Sequence, residues 1–266
     1  MNILVCVKQV PDTSEIKIDP VTNTLIRAGV PSIVNPFDAY ALEFAARIKD
    51  NNPETKITVL SMGPMQAKEA IKTCLSVGAD KGYLLSDRLF GGADTFATSY
   101  TLAKGIEYLE KENGKFDLIL CGKQAIDGDT AQVGPEIAEH LGYAQVTYAV
   151  EIEADDGKAT VKRETDSGYA VVEAELPCVI TVTKPDFDPR MPTVRAKMAA
   201  LRAEIPVLTA EMIEADVKYL GLKGSPTKVK RSFTPSISHD SVKIEEATAE
   251  ESAKKLVALL DAAGVI

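Results

Sequence analysis

The chain has no tryptophan and, in 266 residues, only two histidines and four cysteines. His140 and His239 are too few and too distant for a histidine metal site. Cys6, Cys74, Cys121 and Cys178 are scattered, with no CxxC pair for a metal or a redox dithiol. Three of them stand in apolar runs, so buried free thiols and a reducing cytoplasm are expected. No apolar run approaches the roughly 18 residues of a membrane-spanning helix. The first residues enter a strand-like run, Asn2–Val7, without a basic segment, so no signal peptide is expected. Basic residues are outnumbered 30 to 39, giving a net charge of −9. That balance disfavours wide nucleic-acid or anionic-membrane contact and leaves room only for a local basic patch. Neither GxGxxG nor GxxxxGK[ST] occurs, which argues against a standard dinucleotide fingerprint and a hydrolytic P-loop.

What is present reads as a globular α/β protein, 45% hydrophobic and 26% charged. Ile3–Val7, Ile57–Ser61, Gly82–Leu85 and Leu118–Cys121 are strand-like. Between them, apolar residues recur three and four apart, as in Ala41, Leu42, Phe44, Ala45 and Ile48, and again over Ala67–Val77 and Thr95–Leu109. This alternation predicts βαβ units, a parallel sheet with helices on both faces, and all βα turns at one edge. The segment Lys8–Asn35 is a long insert at such a turn, with a hairpin expected from Ile16–Ile18 and Thr24–Arg27, and excursions there commonly cover a ligand site. After Val146 the pattern turns to hairpins: Thr147–Glu153 and Ala159–Glu164 flank Asp155-Asp156-Gly157, and Ala170–Glu175 and Cys178–Thr183 follow. From Lys184 prolines and charges dominate, with short helices expected near Thr193–Leu201 and Ala249–Ala262. Residues 1–184 therefore read as a nucleotide-binding α/β domain, and 185–266 as an arm without a core of its own, which wraps the domain or clasps another subunit.

The richest stretch is Leu118–Leu141, read as strand, glycine-rich turn and helix. Gly122, Gly128 and Gly134 permit close backbone approach to a ligand. Thr130 is expected to cap the helix, with its hydroxyl and the N–H groups of Ala131 and Gln132 directed at an anion. Asp127 and Asp129 sit awkwardly beside a phosphate and are expected to hold the loop or a ribose hydroxyl. Asn35 and Pro36 suit the cap and first position of a helix. Ser61-Met62-Gly63-Pro64 and Gly91-Gly92-Ala93-Asp94-Thr95 supply two more permissive turns. Four such turns at one sheet edge form a crevice, where ligands of this fold class bind.

In these residues the chain resembles the beta subunit of electron-transfer flavoproteins along nearly its whole length. The matching marks are Val5-Cys6-Val7-Lys8-Gln9-Val10, Asn35-Pro36-Phe37, Ser61-Met62-Gly63-Pro64, Gly78-Ala79-Asp80, Gly122-Lys123-Gln124-Ala125-Ile126-Asp127, and a signature-like segment Val161–Thr181 in which Ser167 and Ala170 depart from the usual choices. The resemblance implies a Rossmann-like parallel sheet of the adenine-nucleotide-hydrolase type, an added β-hairpin region and an extended C-terminal arm embracing an FAD-carrying alpha subunit. Some members hold structural AMP in the beta subunit; others hold a second FAD and work with NADH in electron bifurcation. The AMP members typically have a third acidic residue where this chain has Gly128 and a polar residue near Val133, so Asp127-Gly128-Asp129-Thr130, together with Asn35-Pro36-Phe37-Asp38-Ala39-Tyr40, looks like the FAD group; a glycine and small residues leave room for a larger ligand.

On that resemblance NADH delivers a hydride, one electron passes through the alpha subunit to an acyl-CoA dehydrogenase-type flavoenzyme, and the other goes to ferredoxin or flavodoxin. The chain oxidises NADH only as part of the complex, and no acid or base triad is expected of it. Backbone amides of Thr130, Ala131 and Gln132 would hold the diphosphate, with Gly122, Lys123, Gln124, Ala125, Asp127, Gly128, Asp129, Val133 and Gly134 also among the cofactor-binding residues. Cys6, Asn35, Pro36, Phe37, Asp38 and Met62 would lie near the adenosine, and Thr95 near the flavin. Asp188-Pro189-Arg190-Met191-Pro192 matches a partner-recognition loop, with Met191 as an exposed anchor or, alternatively, a core residue. Two other readings remain open: an electron shuttle with AMP in this chain, and a nucleotide-sensing module of the universal-stress type.

Overall fold

Alternate residues of the first strand serve different cores, and that alternation lays out the molecule. In the computed structural model, which describes residues 1–12, 31–155, 157–230 and 241–266, Ile3, Val5 and Val7 face one hydrophobic cluster while Leu4 and Cys6 face another. A strand buried on both faces reads as an unbroken apolar run, as this one does.

The elements are β1 (Asn2–Cys6), β2 (Gln9–Pro11), β3 (Ser32–Val34), α1 (Pro36–Asn51), β4 (Lys56–Met62), α2 (Lys68–Ser76), β5 (Lys81–Leu85), α3 (Thr95–Asn113), β6 (Leu118–Gly122) and α4 (Val133–Leu141). They continue as β7 (Ala144–Asp155), β8 (Lys158–Thr165), β9 (Gly168–Glu175), β10 (Cys178–Val182), α5 (Val194–Arg202), β11 (Val207–Leu208), α6 (Gly221–Gly224) and α7 (Ala249–Ala262). The main sheet has the order β11-β5-β4-β1-β6-β10-β7-β8-β9. It is parallel from β11 through β7, and the β7–β8–β9 extension is antiparallel. Helices α1 and α2 bury Ala41, Leu42, Phe44, Ala45, Ile71 and Cys74 in the first cluster. Helices α3 and α4 bury Leu102, Ile106, Leu109, Ile137 and Ala138 in the second. The result is the α/β fold expected, with helices on both faces of a mostly parallel sheet.

The helix starts follow local chemistry. Asp94 caps α3 by accepting the Ala97 N–H at 3.1 Å, Thr193 caps α5 through Ala196, and Thr248 caps α7 through Glu251. Pro36 occupies the first turn of α1, where a missing N–H costs nothing.

Two features lie beyond the sequence reading. The short strand β11 adds to the open edge of β5, and Leu208, Ala210, Ile213 and Leu220 enter the α3–α4 core. The division expected after residue 184 therefore falls inside a compact unit that runs to Lys230. Proline spacing forbids long elements there but not isolated apolar pairs that fill an edge. The hairpin expected from Ile16–Ile18 and Thr24–Arg27 lies outside the described residues; its flanks, β2 and β3, pair antiparallel.

The second unit, Arg231–Ile266, contains α7, on which Leu256, Val257 and Leu259 are exposed. No described helix is long and apolar enough to cross a membrane. All four cysteines are free and buried.

Candidate functional site

From β1 the chain moves to β4 and β5 on one side, then returns across the sheet to β6 on the other. The connections leaving β1 and β6 thus diverge at a topological switch point, the place where folds of this class form a crevice. Cys6 and Cys121 are paired in register at its floor. Both thiols are buried, and the Cys6 contact together with burial pushes the Cys121 thiol well up. Cys6 therefore offers a ligand its backbone, not its sulfur.

The start of α1 closes one wall. Asp38 is buried, and its two carboxylate oxygens accept separate backbone N–H groups, from Lys8 at 2.7 Å and Gly122 at 3.1 Å. Burial pushes this carboxyl up to about 7, against hydrogen bonds from Asn35, Lys8 and Gly122 that favour its charged form. Asn35 is also buried, and its side chain makes no capping bond. Its amide instead donates to the Gln124 carbonyl at 2.8 Å and its oxygen accepts from the Ile126 N–H at 3.2 Å. The capping role expected of Asn35 thus gives way to a bridge that pins the loop after β6. Asp38 and Asn35 shape the crevice from beneath.

The loop itself disposes of its negative charge. Asp127 pairs with Lys8 at 2.6 Å, and Asp129 accepts from the Gln124 amide at 2.6 Å. Both carboxylates are thus engaged within the protein, Asp127 by a cation and Asp129 by an amide. Lys123 lies 5.2 Å from the Phe37 ring centroid and 5.9 Å from that of Tyr148.

Of the three glycines expected to open the backbone to a ligand, only Gly128 faces open space. A Cβ on Gly122 would lie 2.3 Å from Asp38 Oδ1, and one on Gly134 would lie 2.4 Å from Thr181 Cγ2. Those two serve close packing of α1 and α4 on the sheet. The expected cap is also corrected: α4 begins at Val133 behind Gln132, and Thr130 stands outside it. Asp129 and Ala131 adopt φ of 51° and 54°. The left-handed region costs a non-glycine residue roughly 1–2 kcal/mol. Ala131 is followed by Gln132 in the right-handed region, a pair that turns successive N–H groups to one side. Among the described residues, the N–H groups of Thr130, Ala131 and Gln132 have no acceptor, and those of Val133 and Gly134 open the helix. Together they make an anion cradle at a helix N-terminus.

Thr95 begins α3 beside this cradle, with its hydroxyl 3.2 Å from Gln132 Oε1 and 3.1 Å from Glu136 Oε1. The preceding Asp94 holds the segment after α6: its carboxylate accepts the Thr227 N–H at 2.9 Å and hydroxyl at 2.8 Å, and its own N–H donates to Ser225 Oγ at 2.9 Å. Met62 ends β4, half-buried against the α3–α4 core, with its backbone at the same sheet edge.

Met191 stands apart from the crevice and is 86% exposed, which excludes a core role. Its neighbour Arg190 binds Glu43 of α1 through Nε at 2.8 Å and Asp50 through Nη2 at 2.7 Å. Burial alone would raise the Glu43 carboxyl, but Arg190 and Arg47 hold it below the usual range.

Lys8, Glu136 and Tyr148 are the contributors missed as individual site residues in the sequence. Lys8 was legible as the one cation at the exit of β1, facing an acidic loop. Tyr148, at φ 61°, sits on a bulge where the β7–β10 register shifts, which only the paired strands reveal.

Residues 22–212 match the family model described as electron transfer flavoprotein domain. The chain is 57% identical over 237 residues to an electron transfer flavoprotein subunit beta of Megasphaera elsdenii, covering 88% of each chain. This chain belongs to the electron transfer flavoprotein beta subunits. It is also 52% identical over 260 residues to the caffeyl-CoA reductase-Etf complex subunit CarD of Acetobacterium woodii, covering 98% of each. Protein FixA of Azorhizobium caulinodans is 44% identical over 240 residues, 89% of this chain and 85% of that one.

Proposed function

We propose that this beta subunit holds an FAD in the β1–β6 crevice, pairs with an FAD-carrying alpha subunit, and takes electrons from NADH. It divides them between an acyl-CoA dehydrogenase-type flavoenzyme and a ferredoxin or flavodoxin. The observation that carries the reading is the run of unengaged N–H groups from Thr130 into α4, beside Gly128, which faces open space. A cradle with that donor set fits a diphosphate, and the gap at Gly128 fits a ligand larger than the loop itself requires.

The chain's own residues divide the work. The N–H groups of Thr130–Gly134 hold the diphosphate. Lys8 and Gln124 hold the Asp127 and Asp129 carboxylates. Asn35 and Asp38 fix the loop against α1, and the backbone at Cys6 and Met62 borders the adenosine. Thr95 borders the ring. FAD, when bound, supplies hydride acceptance and release of single electrons. Met191, exposed on a loop that Arg190 ties to α1, meets the acyl-CoA dehydrogenase-type partner. The CarD relative, a subunit of a caffeyl-CoA reductase-Etf complex, supports that class. The apolar residues of α7 are covered by the alpha subunit, so that residues beyond the α/β domain act as an arm. A cytoplasmic setting suits such soluble carriers.

The test is co-expression with the alpha subunit, followed by extraction and counting of nucleotides and by reduction with NADH. Two FAD per heterodimer and rapid reduction are expected. One FAD with AMP, and no response to NADH, would replace this reading with a simple electron shuttle.

A further inference from the structure

The Thr95 hydroxyl lies between two acceptors on α4, Gln132 Oε1 at 3.2 Å and Glu136 Oε1 at 3.1 Å, yet it has one proton. A carboxylate is the stronger acceptor. Turning the Gln132 amide over, an assignment that hydrogen bonding decides, lets its nitrogen donate to the threonine oxygen instead. The other Glu136 oxygen, Oε2, is buried and has no donor among the described residues. Among the described residues, Thr95 is thus the one hydrogen-bond donor to this carboxylate, and the threonine proton is drawn to it. With that proton taken and one lone pair facing Gln132, Thr95 has a single lone pair left for whatever enters the crevice.

We propose that Glu136 is a positioning residue that makes Thr95 a hydrogen-bond acceptor toward the crevice, so that the site favours a ligand ring nitrogen carrying a proton. The inference rests on the proposed function, in which the ring is a flavin. The flavin N5 accepts a hydrogen bond when oxidised and donates one when reduced. An acceptor-only threonine therefore binds the reduced ligand in preference to the oxidised one. If the contact merely tied α3 to α4, no such preference would follow.

The purified heterodimer, with its flavins counted, is compared as wild type, Glu136→Gln, Thr95→Val and the double variant. The readouts are the affinities for oxidised and chemically reduced FAD and the midpoint potential of the crevice flavin. In Glu136→Gln the new amide donates to Thr95 and frees its O–H toward the ligand. The preference for reduced FAD is expected to change by about tenfold, the scale of one hydrogen bond. In the Thr95→Val background the same substitution loses that part of its effect. Thr95→Ser keeps the hydroxyl and is expected to keep the preference, which guards against misfolding of the valine variant. Loss of the carboxylate charge alone acts equally with or without the hydroxyl, so additive shifts overturn the inference. A heterodimer that takes up no second flavin overturns the proposed function and this inference with it; two flavins with additive shifts overturn this inference alone.

Discussion

Helix α1 is fastened at two places by different chemistry. Near its start, the buried Asp38 carboxylate takes two backbone N–H groups, from the ends of β1 and β6. Further along, Glu43 and Asp50 take the guanidinium of Arg190 at a partly exposed surface. The first fastening has little freedom: both donors are backbone N–H groups at the ends of buried strands, and neither can follow a moving side chain. The second joins side chains that can follow one another and that salt can screen. The strict fastening lies under the crevice, where a cradle needs constant geometry. The compliant one holds the exposed loop that carries Met191.

The comparison is broken most forcefully at Gly122. Gly122→Ala puts a methyl group against Asp38 Oδ1 and the Asp38 backbone nitrogen, and is expected to cost about 3 kcal/mol, measured by urea unfolding. A loss well under 1 kcal/mol would show that the wall of the crevice yields. Asp38→Asn is next, at about 2 kcal/mol, because an amide cannot accept on both sides and leaves one strand-end N–H facing a donor. It also changes the pH response. With the folded carboxyl pushed from its ordinary 3.8 to about 7, the folded chain keeps a proton that the unfolded chain has released. This group's contribution therefore falls as pH rises from about 4 to 7, and the variant should lack that slope.

Arg190→Ala tests the compliant fastening. It leaves the buried Glu43 without its main partner, and a loss of about 1–2 kcal/mol is expected at low salt, shrinking at high salt. Because Glu43 is held below the usual carboxylate range, its contribution is present at neutral pH and disappears on acidification as it protonates. A salt-independent loss would erase the contrast with Asp38. The smallest stability effect is expected at Gly128. Gly128→Ala meets no atom within 4 Å, so unfolding should change by less than about 0.5 kcal/mol while FAD affinity falls. Unchanged affinity would remove Gly128 from the ligand's path.

The sequence made the parallel core legible because strands buried on both faces and helices buried on one have different periods, and both were plain in Ile3–Val7 and Ala41–Ile48. Leu118–Leu141 was legible as strand, turn and helix for the same reason. The division of roles inside it was not. A glycine written for close packing against Thr181 looks the same as one left open for a ligand, and only the neighbours distinguish Gly134 from Gly128. Asn35 carried a cap's composition but makes a long-range bridge, since its partners Gln124 and Ile126 are distant in sequence. The strand β11 escaped because two residues hold no periodicity.

Asp94 joins two tasks in one carboxylate. It ends the exposed N–H ladder of α3, and it also ties down the residues through which the polypeptide leaves for its last segment. The stretch from Ser225 to Thr227 is therefore fastened to the first turn of α3, one residue from Thr95. Removing that one side chain would loosen the start of α3 and the stretch after α6 together.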